Sequence, residues 1–391
     1  MRDRMRPKRI VILGSTGSVG INALRVIRRF PEKFKVVGLS AYDNCRLLEK
    51  QIKQFSPTHV AANAHGIRYL KSHVSSRKTK MWDVERDLDR LVVLKEVDTI
   101  IIAMRGSAAL SPFLSAVRAG KTVAPANKEA LVVAGNILLR EARKFKARII
   151  PIDSEQSAIF QCLDGKDRRE LKRVLLTASG GALINVPKSR FHKLSIKQIL
   201  NHPRWKMGKK ITVDSATLMN KGFEVIEAMV LFQLSVDQIE VVVHPEAIIH
   251  SMAEFKDGSV IAQMSITDMR LPIQYALTYP ERWDTGLKAV DFFDIKKLTF
   301  LRPDWKRFPA LSLAIEVGRK CGTLPCVLNA ADEEAVEAFL KGKLKFTDIY
   351  EVVEGVVRQH RRVMQPDLQA IYRADQWARE QARGLIARKV K

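Results

Sequence analysis

KRIVILGSTGSVGINALRVIRRF, Lys8 to Phe30, is the stretch that decides the fold. Arg9-Ile10-Val11-Ile12-Leu13 is a short, β-branched apolar run, the pattern of a strand buried on both faces. Gly14 to Gly20 forms a glycine-rich turn, and Ile21 to Phe30 then spaces its apolar residues at helical intervals with Arg25, Arg28 and Arg29 outward. A parallel neighbour requires a crossover of about a dozen residues or more, usually a helix, so this unit opens a parallel sheet. The alternation continues, predicting strands at Phe34–Leu39, His59–Ala62, Thr99–Ala103, Thr122–Ala124 and Arg148–Pro151 with helices between them. The fold class is α/β, with a Rossmann-like doubly wound parallel sheet over residues 1–150.

The turn reads G-x-x-G-x-x-G, which departs from the G-x-G-x-x-G dinucleotide fingerprint. Its setting carries more weight, because a glycine loop between a strand and a helix lets a pyrophosphate approach the helix N-terminus. A merely tight strand-to-helix turn is the alternative. At the end of the second strand, Ser40 to Asn44, an acidic residue favours NAD and a basic one NADP. Asp43 leans toward NAD, Arg46 and Lys50 offset it if they turn inward, and Asp43 equally suits a cap for a helix Cys45 to Phe55. Pro125-Ala126-Asn127-Lys128-Glu129-Ala130-Leu131 follows a short strand at the carboxyl edge of the sheet, where doubly wound sheets bind ligands.

A chain of 391 residues with 46% apolar residues points to two or three domains. The net charge of +25 suits nucleic acid, phosphorylated substrates or dinucleotides alike. With no RNA-recognition, zinc-finger or Gly/Arg pattern, nucleic acid is not expected as a partner. Arg2, Arg4, Arg6 and Lys8 at the start, and Arg358, Arg361, Arg362 and Arg388 to Lys391 at the end, read as solvated surface. Cys45, Cys162, Cys321 and Cys326 lack CxxC spacing and read as reduced thiols. The N-terminus lacks the apolar core of a signal peptide, and no apolar run approaches the roughly 20 residues of a membrane span, so a cytoplasmic protein without a membrane partner is expected.

Farther along, Pro151-Ile152-Asp153-Ser154-Glu155-Gln156 sets two carboxylates i, i+2 past an apolar strand, on one side of an extended backbone. Like charges held close call for a metal or a cation between them; a capped helix with an acidic first turn is the alternative. Leu175 to Gly181 is a strand entering a small-residue loop whose Ser179 suits a phosphate. His202 to Ala228, HPRWKMGKKITVDSATLMNKGFEVIEA, combines a His-Pro turn, a strand-like Ile211-Thr212-Val213, and a helix onset near Asn220. On that helix Asn220, Lys221 and Glu224 share a face, and Glu224 is a third carboxylate that with substrate oxygens and water would complete an oxygen set for Mg²⁺ or Mn²⁺; an ordinary capped helix with a solvated Lys–Glu pair is the alternative.

Together, GSTGSVG, ANKEAL, PIDSEQ, LTASGG, the His202 to Ala228 block and HPEAIIHSM resemble the 1-deoxy-D-xylulose 5-phosphate reductoisomerase family, from about Lys8 to the end of the chain. The resemblance implies an NADPH-dependent enzyme with one divalent metal ion, Mg²⁺, Mn²⁺ or Co²⁺, that rearranges and reduces a phosphorylated ketose to 2-C-methyl-D-erythritol 4-phosphate. It also implies a homodimer and sensitivity to fosmidomycin. By matching position, it makes Asp153, Glu155 and Glu224 metal ligands, with Lys128, Glu155, His202 and Trp205 catalytic. Ser154, Ser179, His202, Ser215, Asn220, Lys221 and Glu224 would meet the substrate, chiefly through its phosphate. Thr16, Gly17, Ser18, Val19, Asn44, Asn127, Glu129 and Gly208 would meet the cofactor, with Met207 near the nicotinamide and His250 in a supporting role.

The implied domains are a dinucleotide-binding domain, 1–150, and a central α/β catalytic and dimerisation domain, 151–286, with a flap near 180–212. A linker at 287–310 and a C-terminal helical domain, 311–391, follow. Gln156, Ala182-Leu183, Arg105 to Ala109 and Tyr42-Asp43 depart from the family's usual residues, the last bearing on the NADPH preference. Asp332, Glu333 and Glu334 read as a solvated helix face. A semialdehyde dehydrogenase would want a Cys nucleophile with a nearby His, and Cys162 has apolar flanks and none.

Overall fold

The computed structural model describes residues 6–74, 78–104, 106–205 and 207–390; Arg2, Arg4, Arg105 and Lys391, on which parts of the sequence reading fall, lie outside them. The chain begins β1 (Lys8–Leu13), α1 (Ser18–Arg29), β2 (Phe34–Ser40), α2 (Cys45–Phe55), β3 (His59–Ala62), α3 (Ala64–His73), β4 (Lys80–Asp83) and α4 (Leu88–Val92). It continues through β5 (Thr99–Ile102), α5 (Leu110–Arg118), β6 (Thr122–Pro125), α6 (Glu129–Lys144) and β7 (Arg148–Ile149). After α7 (Ser154–Leu163) and β8 (Leu171–Ala178) come α8 (Ile196–Ile199), α9 (Lys209–Thr217), α10 (Met219–Phe232), β9 (Ile239–Val243), β10 (Ile249–Phe255) and β11 (Val260–Met264). The remainder is helical: α11 (Arg270–Thr278), α12 (Phe292–Ile295), α13 (Pro309–Lys320), α14 (Leu324–Leu340), α15 (Phe346–Gln359) and α16 (Leu368–Val390).

Two compact units result. The first gathers Met1–Ala130, Leu138–Ser157 and Asp268–Leu287. Its seven strands run β4-β3-β2-β1-β5-β6-β7, all parallel, so the winding reverses between β1 and β5. The apolar runs that predicted strands are the ones buried here, with Ile10 to Leu13 and Ile100 to Ile102 inaccessible to solvent. The late segment covers an early one: α11 packs on α1, the Trp283 ring lies 5.0 Å from Phe30 and 5.7 Å from Phe34, and the Lys8 ammonium donates to the Leu277 carbonyl. The sequence reading did not foresee β4, whose Lys80-Met81-Trp82-Asp83 is mostly polar and lies at the sheet edge with no residue fully buried.

The second unit comprises Leu131–Ile137, Ala158–Thr267 and Lys288–Lys391. Its four-stranded sheet runs β11-β10-β8-β9, with β8 parallel to β9 and antiparallel to β10. Helix α10 is apolar nearly all round and lies against α13, where small residues permit the approach. A Cβ on Gly222 would sit 2.4 Å from that of Ala314, and one on Gly318 3.0 Å from Met229 Sδ. Helix α14 is the centre of the helical end, with α13, α15 and α16 against it.

Two expectations are corrected here. Ile211-Thr212-Val213 belongs to helix α9, not to a strand: Thr212 Oγ1 donates to the Gly208 carbonyl at 2.9 Å, and burial of Thr212 and Val213 outweighs their strand preference. Nor is Asp332 on a solvated face. It is fully buried, while Glu333 and Glu334 are paired with Arg379 and Arg383.

Candidate active site

In the first unit the glycine turn lies at the winding reversal, the place where open α/β sheets accept ligands. Gly14 has φ +84°, and a Cβ there would meet the Ala103 carbonyl oxygen at 2.5 Å. A Cβ on Gly20 would fall 2.4 Å from the Gly14 carbonyl oxygen, so this glycine is what lets α1 sit against the turn. Gly17 is different: it is the residue before α1, exposed, with extended backbone and a nearest neighbour at 3.4 Å from a Cβ. Thr16, Gly17, Ser18 and Val19 therefore lead into the N-terminus of a twelve-residue helix with no acidic residue in its first turn. That end carries positive partial charge and suits a pyrophosphate.

The Ser40–Asn44 question resolves in part. Asn44, not Asp43, caps α2, accepting the Leu47 N–H at 3.2 Å, and Asp43 is exposed. Tyr42 donates to Glu85 at 2.7 Å, and that carboxylate pushes the Tyr42 hydroxyl pKa up. Asn127 is buried and committed to structure. Its amide donates to the Met104 and Gly106 carbonyls at 2.8 and 3.1 Å and its oxygen accepts from Ala130 N–H at 2.9 Å, which fixes the loop after β5 to the start of α6. Glu129 begins α6.

Lys128 is buried, and its ammonium lies 2.6 Å from Asp153 Oδ2. Asp153 Oδ1 accepts the Glu155 N–H at 3.3 Å, and Ser154 Oγ donates to Glu155 Oε2 at 2.5 Å. The two acidic side chains offer oxygens within 4.8 Å of each other, as expected, but by a different route. The local backbone takes the helical alternative: Asp153 caps α7, and the first helical turn, rather than an extended strand, turns Glu155 toward it. An ammonium beside one of two converging carboxylates is the balance that burial demands.

The second unit holds the remaining group. Gly180 and Gly181 have φ +85° and +67°, and a Cβ on Gly181 would lie 2.4 Å from the Ser215 carbonyl oxygen. Close approach of the Ser179 loop to the end of α9 thus depends on glycine. His202 Nδ1 accepts from the backbone N–H groups of Trp205 and Arg204 at 2.9 and 3.2 Å. In the neutral ring the proton is then on Nε2, which donates to Ser179 Oγ at 3.1 Å. Trp205 stands with its ring 6.3 Å from that of His250, which is buried on β10 and contacts the Ser265 carbonyl at 3.2 Å.

Leu218, in the left-handed region at φ 60°, breaks the chain between α9 and α10. Asn220 and Lys221 consequently fall in the first turn of α10, whose free N–H groups and dipole attract anions. Asn220 Nδ2 donates to Glu224 Oε1 at 2.5 Å and the Lys221 ammonium pairs with Glu224 Oε2, all on the face that the spacing predicted. Lys221 and Glu224 are only 3% and 1% exposed, so each charge depends on its partners. Met207 and Gly208 lead directly into α9, with Gly208 its N-cap. Sequence reasoning missed the anchoring role of Asn127 and the part that Lys210 and Asp214 play in α9; the side-chain types were visible, their partners were not.

Comparison with known proteins covers nearly the whole chain. Family models described as 1-deoxy-D-xylulose 5-phosphate reductoisomerase, its C-terminal domain, and DXP reductoisomerase C-terminal domain match residues 10–135, 149–232 and 264–381. A 1-deoxy-D-xylulose 5-phosphate reductoisomerase of Pelotomaculum thermopropionicum is 48% identical over 374 residues, covering 95% of this chain and 97% of its own. The enzyme of Thermodesulfovibrio yellowstonii is 46% identical, covering 96% and 98%. Among solved structures, the Zymomonas mobilis reductoisomerase in complex with NADPH aligns with TM-score 0.91 at 36% identity, over 97% of this chain and 99% of that one. A DOX-P reductoisomerase in complex with NADPH, fosmidomycin and magnesium also aligns at 0.91 and 36%, over 97% and 98%.

Proposed function

Since the chain belongs to the 1-deoxy-D-xylulose 5-phosphate reductoisomerase family, we propose that the residue groups described above divide one reaction among them. The protein is an NADPH-dependent, metal-dependent oxidoreductase that converts 1-deoxy-D-xylulose 5-phosphate to 2-C-methyl-D-erythritol 4-phosphate in isoprenoid precursor synthesis. The observation that carries this reading is a likeness that runs through 95% of the chain at 48% identity.

The metal ligands proposed are Asp153, Glu155 and Glu224, of which Asp153 and Glu155 bring carboxylate oxygens within 4.8 Å of each other. Hard carboxylate oxygens fit Mg²⁺ or Mn²⁺. The fit is supported by Lys128 and Lys221, whose ammonium groups already sit against Asp153 and Glu224 as a cation would. When bound, the divalent ion supplies Lewis acidity at the substrate carbonyl and the nicotinamide supplies the hydride. Lys128 offsets the carboxylate charge and reaches the substrate side, and Ser154 orients Glu155 and a substrate hydroxyl.

Ser179, Ser215, Asn220 and Lys221 take the phosphate, with the α10 N-terminus adding backbone donors. His202, by donating to Ser179 Oγ, turns the serine proton outward to a phosphate oxygen. Trp205 excludes water on closure of residues 180–212, and binding of the remote phosphate orients the reacting carbons. Thr16 to Val19 hold the pyrophosphate, while Asn44, Asn127, Glu129 and Gly208 shape the rest of the cofactor site, Asn127 by fixing its loop rather than by its engaged amide.

A functional division at 1–150, 151–286, 287–310 and 311–391 is part of this reading, as are a homodimer and a cytoplasmic location. The exposed Phe292 and Phe293 support the homodimer. Light scattering that returns a mass near 44.2 kDa instead of twice that value would exclude the dimer. For the reaction, NADPH oxidation is followed with pure protein, 1-deoxy-D-xylulose 5-phosphate and Mg²⁺. Absence of turnover under those conditions rejects the function.

A further inference from the structure

We infer that Lys210 is a positioning residue for the phosphate end of the site, acting through a buried charge cluster with Asp214 and Asp332. The inference rests on the assignment of Ser215, Asn220 and Lys221 to the substrate phosphate.

Lys210 sits in the first turn of α9, two residues past Gly208. Its ammonium lies 2.6 Å from Asp214 Oδ2 and 2.7 Å from Asp332 Oδ2, and 4.8 Å from the centre of the Phe223 ring. The side chains of Lys210, Asp214 and Asp332 are 21%, 3% and 1% exposed. Three helices therefore meet at one cation: α9 through Lys210 and Asp214, α10 through Phe223, and α14 through Asp332. The neighbours in sequence are site residues, since Ser215 follows Asp214 and Glu224 follows Phe223.

A positive charge in the first turn of a helix opposes the helix dipole, so Lys210 does not serve α9 as a helix former. The first turn also has no side-chain cap, because Gly208 occupies that position. What fixes the turn is the tie to Asp214 one turn on and to Asp332 on a distant helix. Neither oxygen of Asp332 makes an aligned hydrogen bond among the described residues, so its charge is balanced through the Lys210 ammonium. Removing that tie frees the start of α9, and with it the seat of Ser215 and the N-cap at Gly208.

The test is steady-state kinetics on D332N, K210R and K210M, with circular dichroism melts to set a temperature at which each variant is folded. D332N keeps the Lys210–Asp214 pair and is expected to raise KM for 1-deoxy-D-xylulose 5-phosphate about 5-fold, and K210M about 20-fold, while KM for NADPH stays within about twofold. K210R, which keeps the charge, restores the ketose KM to within about threefold of wild type. Folded variants whose ketose KM is unchanged, or whose kcat falls with KM unchanged, reduce the cluster to a stability device and overturn the inference. If K210M does not fold, D332N and K210R decide. If wild type itself does not turn over, the functional reading fails, and this inference fails with it.

Discussion

Two anion sites in this chain are built by opposite means. The turn at Gly14–Gly20 relies on backbone: two of its glycines stand where no Cβ fits, and α1 supplies N–H groups without a charged side chain in its first turn. The Ser179–Glu224 group relies on side chains: buried Lys221 and Glu224 hold each other, Asn220 holds Glu224, and His202 holds Ser179. A backbone site breaks by steric intrusion rather than by loss of a charged side chain. A side-chain site breaks by a change of charge or hydrogen bond at constant shape.

The strongest probe of that contrast is Glu224→Gln, which keeps shape and removes charge. It is expected to lower kcat by about a thousandfold with Mg²⁺ saturating, since loss of one ligand charge strips several kcal/mol from charge stabilisation in the reaction. Its melting temperature should also fall, because the buried Lys221 ammonium loses its partner charge, so kcat is read at a temperature where the variant is folded; unchanged turnover would remove Glu224 from the ligand set. The mirror experiment pairs Gly14→Ala with Gly17→Ala. A Cβ 2.5 Å from the Ala103 oxygen at φ +84° is expected to cost about 2–4 kcal/mol of stability and to raise KM for NADPH, whereas Gly17→Ala costs less than about 1 kcal/mol. Equal effects in denaturant titration would end the steric account.

Ser179→Ala, a small deletion on the side-chain site, is expected to raise the ketose KM about tenfold and leave NADPH binding alone. Asp43→Lys, on the exposed rim of the backbone site, should shift the kcat/KM ratio toward NADPH over NADH by about fivefold, and no shift would exclude Asp43 from choosing the cofactor. The smallest effect is one of pH. Burial lowers the His360 pKa below the ordinary histidine value, so the unfolded chain binds a proton that the folded chain does not. Its contribution is present above about 6.5 and is lost as the pH falls through the folded value. Melts between pH 7.5 and 5.5 should fall less steeply in His360→Gln than in wild type.

Much of this was legible in the sequence because the signals were local. Ile10 to Leu13 and Thr99 to Ile102 announced buried strands by composition, and Asn220, Lys221 and Glu224 announced a shared face by spacing alone. The failures were non-local. Ile211-Thr212-Val213 has strand-forming residues, and only tertiary burial makes them helical. Asp332 has the look of a solvated helix acid until Lys210, far away in the chain, comes against it. Strand β4 gave no apolar run to read, since an edge position asks for none.

The return of Asp268–Leu287 to the first unit sets the order of events during synthesis. Trp283 and Leu277 complete contacts with Phe30, Phe34 and Lys8 that the nascent N-terminus cannot make for itself. A growing chain folds by domains from its N-terminus, but here that first domain must wait on the ribosome with one face of α1 uncovered until residue 287 has emerged. A fragment ending at residue 150 would carry the same exposed face permanently, and it is a poor choice for producing the cofactor-binding half alone.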